Sequence, residues 1–180
     1  MNNSYFVYTG NAYPHKNLNR LIDAVVKLNV KLKIVSARGV FIDRLNKEIK
    51  NKKAEALVEL LGFVPDTELN QLYKNSIAFV FPTLSEGFGL PPMEAIEAGA
   101  LAIVSDIPVL KEVYQDSVFY FDPYNVNSIT EALKKAMNLQ KSEKDKKVKF
   151  AQSFIKRYSW AKMARETLNI YEKEGSPGLR

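Results

Sequence analysis

One segment of the sequence decides the fold: Ser85-Glu86-Gly87-Phe88-Gly89-Leu90-Pro91-Pro92-Met93-Glu94-Ala95. It directly follows the apolar run 77–81, which has no helical period and is typical of a strand buried on both faces of a parallel sheet. Pro91 and Pro92 suit the first turn of a helix, because a missing N–H group is no loss there. The order strand, glycine loop, helix predicts that the loop lies at the carboxyl edge of an open sheet, where ligands bind.

The two glycines of this segment, Gly87 and Gly89, favour the binding of an anion. Glycine adopts backbone angles closed to other residues and lets a ligand approach main-chain N–H groups closely. The start of a helix adds unpaired N–H groups and a favourable dipole, so phosphate is the usual ligand of such a loop. The third glycine of a dinucleotide fingerprint is missing and no Walker sequence occurs, which argues against ordinary NTPases and dehydrogenases.

Strand-like and helix-like segments alternate along the rest of the chain. The expected strands are residues 5–9, 32–35, 57–64 (which also fits a helix end), 77–81, 101–104 and 118–121, with helical patterns between them and from 127 onward. This alternation predicts an α/β fold, a three-layer αβα Rossmann-like domain with a parallel sheet of about six strands. We expect the domain to span residues 4–174, and residues 175–180 to form a disordered tail or a cloning remnant.

Polar residues at the starts of helical patterns are interpreted first as helix caps. Asn17 and Asp66 stand directly before apolar residues at helical spacing and are predicted N-caps. Ser105 and Asp106 resemble ligand groups at a strand end, but helix capping is the commoner role of such residues. We therefore expect them to cap the helix that follows.

Composition excludes several kinds of site. The 180 residues, 46% of them hydrophobic, suffice for one domain with a full core. The chain has no cysteine and a single histidine, His15, so we expect no disulfide framework, no zinc site and no Ser/His/Asp or Cys/His nucleophile set. Neither a signal peptide nor an apolar run of membrane-spanning length is found, and the expected location is the cytoplasm.

The net charge of +6 favours anionic partners such as nucleotides, nucleic acid or an acidic lipid surface. Many lysines fall in residues 141–149, where they alternate with acidic residues as on a solvated helical face, and this alternative has at least equal support. Basic residues are not interleaved with aromatic ones, so we do not expect nucleic acid as a partner.

Two carboxylates and one lysine are candidates for ligand binding near the glycine loop. Glu86 can accept hydrogen bonds from the vicinal hydroxyls of a sugar, or can cap nearby N–H groups. Glu94 can reach the same crevice from the helix start, or can compensate the helix dipole. Lys16 precedes the first long helix, where a cation is unfavourable unless it binds an anion or points into solvent. The residues alone leave these alternatives open, and a loop histidine such as His15 is more often incidental than catalytic.

Glu86 and Glu94, with seven residues between them, resemble the E-x7-E signature of glycosyltransferase family 4 (group 1), the retaining nucleotide-sugar enzymes of glycosyltransferase-B fold. Further segments resemble that family in the same order: residues 8–11, 14–17, 62–66, 104–108, 121–123 and 158–160. The resemblance covers residues 5–171 and implies that the chain is the C-terminal, donor-binding half of such a fold.

The resemblance also implies roles for individual residues. Glu86 would hold the sugar hydroxyls, Glu94 the ribose, and Lys16 would neutralise the diphosphate, which makes Glu86 and Lys16 the implied catalytic residues. Family members often have arginine where Asn11 stands, so more of the diphosphate charge would fall to Lys16 and to main-chain N–H groups. The implied scheme needs no metal ion and no other cofactor. The implied donor-binding set is completed by His15, Arg38, Gly87, Phe88, Gly89 and Leu90.

Family members that look like mannosyltransferases also have asparagine at the position of Asn11. The resemblance therefore favours transfer of mannose from GDP-mannose to a glycan or lipid-linked acceptor. The implied partners are the nucleotide sugar, an N-terminal acceptor-binding domain outside this sequence, and the inner face of a membrane if the acceptor is lipid-linked. The isolated domain is expected to turn over little or not at all. The alternative is a non-catalytic nucleotide- or sugar-binding module that acts with a partner chain.

Overall fold

The computed structural model describes residues 4–36 and 39–174, and in this part of the chain one parallel sheet has six strands in the order β3-β2-β1-β4-β5-β6. The predicted tail, residues 175–180, lies outside the described residues. The strands are β1 (Tyr5–Thr9), β2 (Lys31–Val35), β3 (Val58–Gly62), β4 (Phe79–Phe81), β5 (Ala102–Ser105) and β6 (Phe119–Phe121). The predicted parallel α/β sheet is confirmed.

Helices cover both faces of this sheet. They are α1 (Leu18–Leu28), α2 (Val40–Asn51), α3 (Asp66–Asn75), α4 (Leu90–Glu97), α5 (Pro108–Tyr114), α6 (Val126–Met137), α7 (Lys141–Ile155) and α8 (Trp160–Glu174). Helix α1 packs against α2 and α6, whereas α4 packs against α3 and α7. The result is the expected three-layer arrangement, with the sheet in the middle.

The centre of the sheet is formed by β1, β4 and β5, in which every residue is buried. The rings of Phe79 and Phe81 stack at a centroid distance of 6.0 Å, and Tyr73 of α3 meets Phe79 edge-on at 5.7 Å. Apolar side chains on both faces of a strand are what a parallel sheet between two helical layers requires. The run 77–81 therefore forms the predicted central strand, although only its last three residues pair as β4.

The predicted strand 57–64 exists but ends early, as β3. Gly62 has a φ of +67°, a left-handed conformation that turns the chain out of the sheet. Phe63 and Val64 therefore lie beyond the strand, and Phe63 is 85% exposed.

Asn17 occupies the predicted N-cap position of α1, but the predicted side-chain capping roles are wrong. The Asn17 side chain makes no capping hydrogen bond, and its Nδ2 instead donates to the carbonyl oxygens of Pro82 and Pro123, at 2.9 and 2.8 Å. Asp66 lies inside the first turn of α3, where its charge suits the helix dipole but caps nothing. Ser105 Oγ donates to Phe81 O at 3.2 Å, and Asp106 pairs with Lys111 at 2.9 Å.

The lysines of residues 141–149 are not all solvated, in contrast to the prediction. Lys144 Nζ donates to Ser76 O and Ile77 O, two of the three carbonyls between α3 and β4, at 2.9 and 2.8 Å. Burial lowers the pKa of Lys144. Lys147 Nζ lies 5.1 Å from the Phe119 ring centroid and donates to Asp116 O. These two lysines attach α7 to the sheet and so have a structural role.

We predict that Asn17→Ala lowers the free energy of unfolding by about 2–4 kcal/mol, because two buried carbonyls lose their hydrogen-bond donor. Asn29→Ala is the matched control, since Asn29 has a similar left-handed φ of 52° but is exposed. It is expected to cost about 1 kcal/mol. Urea denaturation measures both, and equal losses in the two variants would contradict the assignment.

Candidate functional site

The loops that follow β1 and β4 meet at the carboxyl edge of the sheet. A short 3₁₀ helix, Pro14–Lys16, follows β1 and leads into α1. The N–H group of Leu84 donates to His15 O at 2.7 Å, and the buried Thr83 Oγ1 lies 2.9 Å from Ser85 O and 3.3 Å from His15 O. These contacts fix the two loops against each other at the place where the sequence predicted a ligand site.

Lys16 and Glu86 form an ion pair across these loops, between Nζ and Oε1. Their side chains are only 11% and 13% exposed, and Lys16 Nζ also lies 5.3 Å from the Phe81 ring centroid. A lysine so enclosed is no solvated side chain, which removes one of the two alternatives left open by the sequence. Its positive charge is directed into the edge of the sheet, next to the glycine loop.

Asn11 and His15 lie exposed on the β1 side of this edge. The backbone at Asn11 is fixed by Tyr8, whose hydroxyl donates to Asn11 O at 2.7 Å. Burial, and secondarily the negative charge of Glu86, raises the pKa of Tyr8 far above its usual range, so the hydroxyl stays a donor. The ring of His15 lies 6.0 Å from that of Tyr13 and belongs to the rim of the site.

The glycine loop, residues 87–90, is packed at Gly89 against side chains of α5. Gly89 is buried with a φ of +88°, and a Cβ there would lie 2.6 Å from Leu110 Cδ2. The Tyr114 hydroxyl donates to Gly89 O, and burial raises the pKa of Tyr114. Gly87, by contrast, is exposed, and a Cβ there would meet no described atom within 4 Å.

The start of α4 offers fewer donors than an ordinary helix. The helix begins at Leu90, with proline at the two following positions, so two of its four free N–H positions carry no hydrogen. The Met93 N–H group interacts with the Tyr114 hydroxyl. Main-chain donors for a ligand are therefore concentrated in residues 87–90.

Glu94 lies exposed on α4, one residue further from the helix start than the sequence suggested. Because α4 begins at Leu90, no acidic residue falls in its first turn, and the dipole effect fades beyond that turn. Dipole compensation therefore explains Glu94 less well than expected. Burial raises the pKa of Tyr73 to about 12; a hydrogen bond from Thr9 opposes this, and the nearby charge of Glu94 adds to it.

Two further features of this edge were not predicted as site residues. Phe63, exposed after β3, borders a groove of about 640 Å³ between β3 and α3. Ser36 directly follows β2, and its buried Oγ has no hydrogen-bond partner among the described residues. For Phe63 the sequence offered two signals, its place directly after Gly62 and the resemblance of residues 62–66 to the family. Arg38, the remaining predicted donor-binding residue, lies outside the described residues.

We predict that Gly89→Ala destabilises the protein by about 2–4 kcal/mol, since it combines a left-handed φ with a clash against a buried leucine. Gly87→Ala serves as the control, because the added methyl group enters open space. It should change stability by less than about 0.5 kcal/mol. Thermal or urea unfolding tests both variants, and a tolerated Gly89→Ala would disprove the tight packing under the loop.

The structure resembles known glycosyltransferases along almost its whole length. Sucrose-phosphate synthase from Thermosynechococcus elongatus superimposes with a TM-score of 0.87 at 17% identity, covering 99% of this chain and 47% of the synthase. At that identity the likeness establishes the fold alone, which is one Rossmann-like domain of the glycosyltransferase-B architecture. No helix in residues 4–36 and 39–174 is long and apolar enough to cross a bilayer.

Similarity in sequence identifies the family. The chain is 30% identical over 178 residues to the O-antigen chain mannosyltransferase B of Escherichia coli, covering 93% of this chain and 45% of the relative. It is 35% identical over 133 residues to the O-antigen chain mannosyltransferase RfbU of Salmonella typhimurium, covering 73% and 38%. The chain thus spans less than half the length of these relatives. The family model "Glycosyl transferases group 1" matches residues 1–153, and the chain belongs to this family of glycosyltransferases.

Proposed function

We propose that this chain binds the nucleoside-diphosphate sugar of a retaining hexosyltransferase. The observation that carries the proposal is the pairing of Lys16 with Glu86 beside the glycine loop. A donor of this class has two negatively charged phosphates next to a neutral ring of hydroxyls. The site offers a cation and main-chain N–H groups for the former and a carboxylate for the latter.

The proposed chemistry is stabilisation of the departing diphosphate. As the bond between the anomeric carbon and the phosphate oxygen breaks, negative charge grows on the diphosphate. Lys16 and the N–H groups of residues 87–90 neutralise this charge, while Glu86 fixes the sugar through its hydroxyls and Glu94 holds the ribose. Retention at the anomeric carbon and independence from metal ions are part of the proposal.

The ion pair also predicts competition inside the site. A diphosphate that binds Lys16 must replace Glu86 as the partner of the ammonium group, and it brings negative charge close to the carboxylate. A donor that carries a sugar gives Glu86 new partners in its hydroxyls. Glu86 should therefore oppose a bare nucleoside diphosphate more than a nucleotide sugar.

GDP-mannose is the donor we favour. The two relatives described above are mannosyltransferases. Asn11, which contributes no charge, leaves Lys16 and the loop N–H groups to balance the diphosphate.

We further propose that this domain acts with an acceptor-binding domain in a parent about twice as long. The coverage of the relatives supports this, since the chain matches less than half of each. Helix α8 supports it as well, because its large apolar side chains Trp160, Met163 and Leu168 are all exposed. On this proposal the chain alone binds the donor with little turnover, and a non-catalytic module with a partner chain is the alternative.

Binding of donors is tested by a thermal-shift panel of GDP, UDP, ADP and their sugars on the chain itself. A ligand at one hundred times its Kd stabilises the protein by about 2.7 kcal/mol, which raises the melting temperature by several degrees. We expect the largest shift with GDP-mannose. If none of these ligands raises the melting temperature, the proposal is wrong. Joining the acceptor domain and measuring mannose transfer separates the enzyme from the non-catalytic module.

The competition predicts opposite effects of two substitutions. Glu86→Gln removes the carboxylate charge, so GDP should bind about three- to tenfold tighter, whereas GDP-mannose loses its advantage over GDP. Lys16→Met removes the cation and should weaken both ligands by about ten- to a hundredfold. Isothermal calorimetry measures the four affinities. Equal weakening of GDP by both substitutions would contradict competition between Glu86 and the diphosphate.

The distribution of charge supports a membrane contact on α7 and the residues that follow it. Residues 141–165 hold nine lysines and arginines against two acidic residues, whereas the rest of the chain has 17 basic and 18 acidic residues. The exposed stripe of α7 carries Lys146 and Lys149 next to the exposed ring of Phe150. We propose that this stripe rests on an anionic bilayer, as a lipid-linked acceptor would require.

The membrane contact predicts that the chain sediments with vesicles of phosphatidylcholine and phosphatidylglycerol, and not with phosphatidylcholine alone. At about 1 kcal/mol per lysine, Lys146→Glu with Lys149→Glu should weaken this binding at least about thirtyfold. The control pair Lys47→Glu and Lys50→Glu makes the same change of charge at exposed positions of α2 and should retain most of the binding. Equal losses would mean that net charge alone governs the association.

A further inference from the structure

One side chain of the glycine loop rests on the junction between the last two helices. Phe88, 36% exposed, meets the ring of Tyr158 edge-on, with ring centroids 5.3 Å apart and ring planes at 90°. Tyr158 follows α7 and stands two residues before the start of α8. The loop that is proposed to bind the diphosphate is thus in direct contact with the start of the C-terminal helix.

Tyr158 is itself held in place. Its hydroxyl donates to Val113 O at 3.2 Å, its N–H group donates to Ile155 O at 2.9 Å, and it packs against the core. The guanidinium of Arg157 lies 5.3 Å from its ring centroid. A partly buried ring with both ends fixed is a firm support, unlike an aromatic side chain that turns freely in solvent.

The two tyrosines that contact the loop, Tyr114 and Tyr158, are both fixed at the end of α5. Tyr114 holds the loop directly, through the carbonyl of Gly89, and Tyr158 is bonded to the neighbouring residue, Val113. Gly89 is supported at the end of the loop that leads into α4. Gly87 has open space around it, and between the paired Glu86 and the buried Gly89 the loop is packed through the ring of Phe88.

We propose that Tyr158 is a positioning residue for donor binding. By holding Phe88, it keeps the main-chain N–H groups of residues 87–90 turned towards the diphosphate. Tyr158 stands two residues before the start of α8. A ligand that restricts the motion of the loop therefore also restricts the motion of the start of that helix. The inference rests on the proposed function, since it presupposes that the loop binds a diphosphate.

The chain contains its own reporter for this coupling. Trp160 is the only tryptophan in the sequence, it is 70% exposed, and it begins α8 two residues after Tyr158. Tryptophan emission depends on the surroundings of the indole ring. Titration with GDP should therefore change the fluorescence of Trp160, although no atom of Trp160 belongs to the donor site.

The test combines calorimetry with Trp160 fluorescence on the chain and five variants. Tyr158→Leu and Phe88→Leu each remove the ring contact, and we expect either one to weaken GDP about tenfold and to abolish the fluorescence change at saturation. Combining the two should cost little beyond either alone, because both remove the same contact. Tyr158→Phe keeps the ring contact with Phe88 but loses the hydroxyl bond to Val113, so it should weaken GDP less than Tyr158→Leu does. Tyr171→Leu, at an exposed position of α8, should bind like wild type.

The outcomes separate the inference from the function on which it rests. If the wild-type chain binds no nucleoside diphosphate by calorimetry, the proposed function fails and the inference fails with it. If GDP binds but Tyr158→Leu and Phe88→Leu retain both affinity and fluorescence change, Tyr158 does not position the loop, and the proposed function stands. Multiplicative losses in the double variant would likewise overturn the coupling. Phe88→Leu, at a partly exposed site, keeps the test valid should Tyr158→Leu fold poorly.

Discussion

The pairing of β1 with β4 is the constraint on which the site depends. Val7 lies opposite Phe79, and the N–H groups of Val7 and Ile77 donate to Ala78 O and Tyr5 O. Two strands far apart in the sequence thus end side by side, and the loops that carry Lys16 and Glu86 must meet. Both strands are buried on both faces, so a slip by one residue would exchange the side chains between two differently packed layers. The sheet therefore fixes the position of the ion pair before any contact within the loops is made.

The architecture could be predicted because it depends on local patterns. Apolar runs without helical period became β1, β4 and β5, and the prolines marked the start of α4 to within one residue. The side-chain hydrogen bonds could not be predicted in this way. Asn17 binds the carbonyls of Pro82 and Pro123, and Lys144 binds those of Ser76 and Ile77, across 65 residues or more. Sequence patterns favour the nearest helix start as a partner, whereas folding brings carbonyls from distant parts of the chain within hydrogen-bond reach.

The candidate site was predicted as a set of residues, but its internal contacts were not. The resemblance to glycosyltransferases grouped Lys16, Glu86 and Glu94, and no pattern indicated that the first two would pair with each other. The position of Glu94 on its helix depended on a start only one residue earlier than the prolines suggested. The contact of Phe88 with Tyr158 joins residues 70 positions apart, and only the packing of α7 brings them together.

The ion pair of Lys16 and Glu86 has a consequence for the end of the proposed reaction. Once the sugar has been transferred, the remaining nucleoside diphosphate offers Glu86 no hydroxyls, and the carboxylate is free to reclaim the ammonium group of Lys16. Glu86 would then compete with the nucleoside diphosphate for Lys16, because the two side chains already contact each other in the structure. Under the proposed function, such a competitor would speed product release and lower product inhibition, without weakening the binding of a donor that still carries its sugar.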